Sequence, residues 1–88
     1  MNKETLFISV RKILFYDWDP LLSHLVVNTE DEYDEFIDRV MVLIGKKPTI
    51  SEIVNLLKKL ENEIQVDADQ NSRKMAASKL KALSEFED

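Results

Sequence analysis

The stretch Thr29-Glu30-Asp31-Glu32-Tyr33-Asp34-Glu35-Phe36-Ile37-Asp38 sets six carboxylates among three large apolar side chains. Thr29 and Glu32 stand three apart, the spacing of a capping box. In that device hydroxyl and carboxylate each satisfy an orphan N–H of a helix start. Tyr33, Phe36, Ile37, Val40 and Ile44 then recur at helical spacing, which predicts a helix over about 30–44 with one apolar stripe. Residues 29–45 hold six acids and one arginine, and the rest of the chain sums to zero. This single segment therefore accounts for the net charge of −5.

The same punctuation recurs downstream. Thr49 and Glu52 form a second capping-box pattern after Pro48, and Ile50, Ile53, Val54, Leu57, Leu60 and Ile64 give the cleanest apolar periodicity in the chain. Glu61 and its neighbours Lys58, Lys59 and Asn62 fall mainly away from that stripe. Between the two helices, Gly45 stands where a left-handed helix end is wanted. Upstream, residues 3–17 read as a helix with Leu6, Phe7, Val10, Ile13, Leu14 and Trp18 on one side. Asn2 is placed to cap it, and Pro20 ends it. A fourth helix is expected over about 69–86, with a thin stripe of Met75, Ala76, Leu80, Leu83 and Phe86, loosely attached and frayed at its end. The expected fold is all-α: a compact bundle of three to four helices forming one domain over residues 1–88.

Composition narrows the function classes. Eighty-eight residues leave little room for an enclosed active site. With no cysteine there is no disulfide, zinc thiolate or thiol nucleophile. A single glycine excludes a glycine-rich phosphate loop. The acidic balance opposes sequence-independent nucleic-acid binding, and no apolar run is long enough to cross a membrane. The beginning of the chain carries no secretory pattern, so a cytoplasmic protein is expected.

Catalytic constellations are thin. His24 is the sole histidine, and Ser23, adjacent to it, has no nucleophile-elbow context. Asp17 and Asp19 flank Trp18, but Asp19 before Pro20 reads first as the cap of a following turn, with Trp18 as core. No enzymatic activity, cofactor or metal site is expected. The candidate partner-binding residues are Asp31, Asp34, Glu35 and Asp38, which share one face at helical spacing, with Val42 the single apolar residue beside them. Ile8 and Phe15, seven apart and off the main stripe of the first helix, are the second candidate surface, for a protein partner or a homodimer.

Arg11-Lys12-Ile13-Leu14, then Trp18-Asp19-Pro20, then Glu32-Tyr33-Asp34 is a recognisable order. It resembles the YugE-like family of small bacterial proteins of unknown function. Leu21-Leu22 stands where many relatives carry an isoleucine–glycine pair, so the loop departs from the family pattern. The resemblance implies an all-α bacterial cytoplasmic protein and no established activity. The functional expectation is a non-enzymatic interaction module. The alternatives are an immunity-type inhibitor of a basic toxin, steered by charge, and a carboxylate metal or hydrolytic site around Asp17, Asp19 and the second helix.

Overall fold

The computed structural model describes residues 2–26 and 29–86. Among them the regular structure is entirely helical. Helix α1 spans Lys3–Lys12, and its first turn is capped by the Asn2 side chain, which accepts from Thr5 N–H at 2.7 Å. It does not simply run on to residue 17. From Ile13 to Trp18 the backbone opens into a π-helix, closed by Asp19 N–H donating to the Leu14 carbonyl at 2.9 Å. Wider turns of this kind add a residue to each loop of the ladder. Leu14 and Phe15, consecutive in sequence, therefore both point inward and are buried with Trp18. The expectation that Phe15 lies on a partner-facing surface fails for this reason: a strict 3.6-residue period does not apply there.

The second helix is shorter than its apolar pattern. After a 3-10 turn at Asp34–Phe36, α2 covers only Ile37–Gly45. The expected Thr29–Glu32 capping box does not form; Thr29 Oγ1 donates instead to Asp31 at 2.6 Å. Two tertiary interactions explain the delayed start. Asp34 is held by Arg11 of α1, and Tyr33 is turned toward Asp19. A helical start at residue 30 would also stack like charges on successive turns. At the other end Gly45 is not left-handed; Lys47, before Pro48, takes that conformation at φ 54.

Helix α3, Ile50–Ile64, carries the full Thr49–Glu52 capping box. Helix α4, Gln70–Ser84, begins at Asp69, whose carboxylate accepts from Asn71 and Ser72 N–H. It is not loosely attached. Ala76, Ala77 and Leu80 are fully buried, and α4 packs on both the π-helical segment and α3. Small alanines let its backbone come close to the bulky Phe15–Trp18 region, since side-chain size at a contact sets interhelical distance. Met75 and Phe86, expected on its stripe, are exposed. Helices α1 and α2 pack together on the other side of the core.

Candidate functional site

Trp18 sits at the centre of the polar structure. Its indole N–H donates to Glu61 Oε2 at 2.8 Å, and its ring lies 5.2 Å from that of Tyr33. Two buried carboxylates, one reached by each of these contacts, organise the surrounding backbone.

Glu61 is the first. It projects inward from α3, 1% exposed, and accepts three further hydrogen bonds from α4 and its lead-in. Arg73 grips it with Nε at 2.9 Å and Nη2 at 2.5 Å, and the Ala68 amide donates at 3.0 Å. Burial pushes this carboxyl's pKa up, but the Arg73 guanidinium, the Trp18 indole and the Ala68 amide together hold it below the usual value. Glu61 thus locks α3, α4 and the end of the first helix to one another.

Asp19 is the second, at the end of the π-helical segment with φ 32, in the left-handed region. Its Oδ1 accepts from Ser23 N–H at 2.8 Å and from the Tyr33 hydroxyl at 2.6 Å. Its Oδ2 accepts from His24 N–H at 3.0 Å and contacts His24 Nδ1. Asp19 thus serves the first two amides of the 3-10 turn Ser23–Leu25 as expected of a cap, although the N-cap position itself is Leu22. Tyr33 completes the circuit by accepting from Leu21 N–H at 3.0 Å. Burial pushes the Asp19 pKa up; the Tyr33 hydroxyl, the His24 amide and ring and the Ser23 amide outweigh it, so the net displacement is downward. Burial and the neighbouring carboxylate push the Tyr33 phenol upward.

The loop built on this hub is unusual in what it displays. Leu22 is left-handed at φ 55, the second such non-glycine residue within four positions. Each such conformation costs about 1–2 kcal/mol. Around it Leu21, Leu22, Leu25 and Val26 are 43%, 57%, 68% and 82% exposed, with Tyr16 of the π-helical segment also exposed. Loops of this kind ordinarily bury or omit such side chains, and strained backbone concentrates at functional sites.

The Asp19–His24 pair has the outline of a base and its orienting carboxylate, with Nδ1 engaged. Among the described residues no nucleophile is hydrogen-bonded to the His24 ring. Ser23 is buried, and its side chain faces the Tyr33 hydroxyl. Nor does Asp19 suit a cation, because its oxygens are occupied by N–H and O–H donors, while Asp17 pairs with Lys79 at 2.9 Å. Among the described residues no three metal-ligating side chains converge.

The residues singled out from sequence separate. Asp34 leaves the expected acidic row and forms a two-pronged pair with Arg11, Nε at 3.0 Å and Nη2 at 2.5 Å. Asp31 lies in the irregular stretch before the 3-10 turn, bonded to Thr29, whereas Glu35 is in that turn and Asp38 in the first turn of α2, both exposed. The four therefore do not form one helix face. Val42 is exposed beside Asp38, and the two line a shallow cleft of about 490 Å³ with Lys3, Leu6 and Met41. Ile8 is exposed on α1, while Phe15 is in the core. The aliphatic loop was missed because short apolar runs next to a tryptophan read as core; the available signal was four large aliphatics in six residues after a helix-ending proline. Comparison with family models, curated proteins and solved structures finds no match to this chain.

Proposed function

We propose that this protein is a non-enzymatic protein-interaction module whose contact element is the aliphatic loop at residues 21–26. The observation that carries the reading is the combination of four exposed large aliphatic side chains with a backbone pinned from beneath by Asp19 and Tyr33. Both the exposure and the left-handed backbone oppose folding of the isolated chain. Burial of those side chains in a partner reverses the first cost, and the fixed backbone reduces the ordering entropy lost on binding. Immunity-type inhibition of a toxin is one instance of this class.

Membership of the YugE-like family is proposed with it. What supports it is that the motif residues meet in space: Arg11 with Asp34, Trp18 with Tyr33, and Asp19 with Tyr33.

Site-specific photo-crosslinking in living cells tests the interaction reading. A crosslinker at Leu25 is expected to capture a discrete protein that the same group at Lys59, on the exposed side of α3, does not. Identical patterns from the two positions, or no adduct at Leu25, would refute it.

A further inference from the structure

We infer that the partner segment seated on this loop is a basic amphipathic one, presenting aliphatic residues to Leu21, Leu22, Leu25 and Val26 and lysine or arginine side chains to the acids at 30–32. This rests on the interaction reading above and adds the chemistry of the partner.

The acids adjoin the loop through shared contacts. Tyr33, which follows the acids at 30–32, accepts from the Leu21 amide and donates to Asp19 beneath the loop. Glu30 lies against the Tyr16 hydroxyl and raises the pKa of that phenol. Of the six carboxylates between residues 29 and 38, Asp34 is the one in an ion pair among the described residues, and it takes up Arg11. Glu30 and Asp31 also act on Arg11, but only through longer-range attraction. Among the described residues this border therefore keeps a net negative charge, since the single guanidinium of Arg11 is shared among Asp34, Asp31 and Glu30.

That border selects among occupants. A second copy of the chain docking about a twofold axis would bring two acidic borders together, because an isologous contact pairs a surface with itself. A bilayer bearing anionic lipid would meet the same repulsion. An aliphatic stripe flanked by cations satisfies both parts of the surface, and helix-in-groove or loop-on-helix recognition reads such a stripe at i, i+3 and i+4.

Calorimetric titration of the full chain with synthetic helical peptides of about five turns tests this. One peptide carries a leucine stripe with flanking lysines; a second has the same stripe with glutamines. The lysine peptide is expected to bind at least about tenfold tighter than the glutamine peptide at low salt. Its affinity is expected to fall about tenfold in Leu25→Ser/Val26→Ser and severalfold in Glu30→Gln/Glu32→Gln. Equal binding of the two peptides, both weakened by Leu25→Ser/Val26→Ser, would overturn the basic partner and leave the interaction face standing. Lysine-peptide binding unchanged in Leu25→Ser/Val26→Ser would mean attraction to net charge alone and would overturn both. Loop-dependent binding to phosphatidylcholine vesicles, or a loop-dependent dimer in sedimentation, would overturn a basic protein partner in favour of a lipid surface or a second copy.

Discussion

Glu61 and Asp19 are both nearly sealed from water, both accept several hydrogen bonds, and both reach Trp18, one through the indole N–H and the other through Tyr33. Their partners differ. Glu61 draws on a guanidinium of α4, the indole of the π-helical segment and an amide of the lead-in to α4, so its contacts span the bundle. Asp19 draws on amides four and five residues ahead of it, on the His24 ring and on one hydroxyl, so its contacts fold a loop. The same chemical group thus serves as a tertiary lock in one place and a local scaffold in the other. What differs is sequence separation and the presence of a guanidinium. The lock ends in a closed interior; the scaffold ends in exposed aliphatic side chains.

The largest expected effect is at the lock. Glu61→Ala leaves Arg73 without its carboxylate and strands the Trp18 and Ala68 donors in a dry site. Breaking a buried pair from one side costs about 3–5 kcal/mol. Urea unfolding followed by fluorescence of Trp18, the sole tryptophan, reads that loss directly. The double variant Glu61→Leu/Arg73→Met is expected to recover much of it, because it removes both charges together. A cost below about 1 kcal/mol for Glu61→Ala would remove the distinction between lock and scaffold.

Acid acts on both hubs at once. The folded-state pKa of each carboxyl is held below its ordinary value, so as pH falls the unfolded chain takes up protons first. The stability they supply is complete above the unfolded values near about 4 and is lost as pH falls through the folded values. The contribution of these two carboxyls is therefore expected to be level down to about pH 5 and to drop steeply below about pH 4. In Glu61→Gln that drop is expected to be shallower, since one of the carboxyls with a lowered pKa is gone. An unchanged acid slope in this variant would show that Glu61 contributes nothing to it.

Asp19→Asn is smaller and more local. An amide keeps one acceptor oxygen but cannot match both sets of donors, at a cost of about 1–3 kcal/mol. Hydrogen exchange is expected to quicken at the Leu21, Ser23 and His24 amides, with α3 little changed. Protection lost evenly over the whole chain would break the comparison, because Asp19 would then be a global lock as well.

The legible parts of the fold were those written in local code. The Thr49–Glu52 box, the Asn2 cap and the Asp19 contacts with the Ser23 and His24 amides each join residues within five positions of one another, and the α3 stripe repeats at that range from Ile53 onward, Ile50 being exposed. What sequence reasoning missed was decided at long range. Glu61 looks like a surface residue because nothing near it in sequence announces Arg73 and Trp18 as partners. Phe15 looks exposed because a helical period assumes a uniform ladder, and the π-helical turn breaks it. The acidic run looks like a helix because its stripe is correct from Tyr33 onward, while Asp34 and Tyr33 are claimed by Arg11 and Asp19 instead. The candidate site suffered most, since the side chains at 21–26 carry a core-like composition and their exposure depends on the strained backbone beneath them.

The smallest expected effect is on those side chains, and it sharpens the contrast most directly. If the loop were part of the core, Leu25→Ser and Val26→Ser would each cost what a buried aliphatic costs, several kcal/mol. Because both are well exposed, each is expected to change unfolding free energy by no more than about 0.5 kcal/mol. Serine also removes apolar surface that water must otherwise hydrate, so solubility is expected to rise. Stability measurements on the two variants beside Asp19→Asn therefore separate the platform from what it carries: the carboxylate matters to the fold, and the aliphatics it raises do not. A loss above about 2 kcal/mol for either serine variant would place these side chains in the folded core and withdraw the loop as a surface for partners.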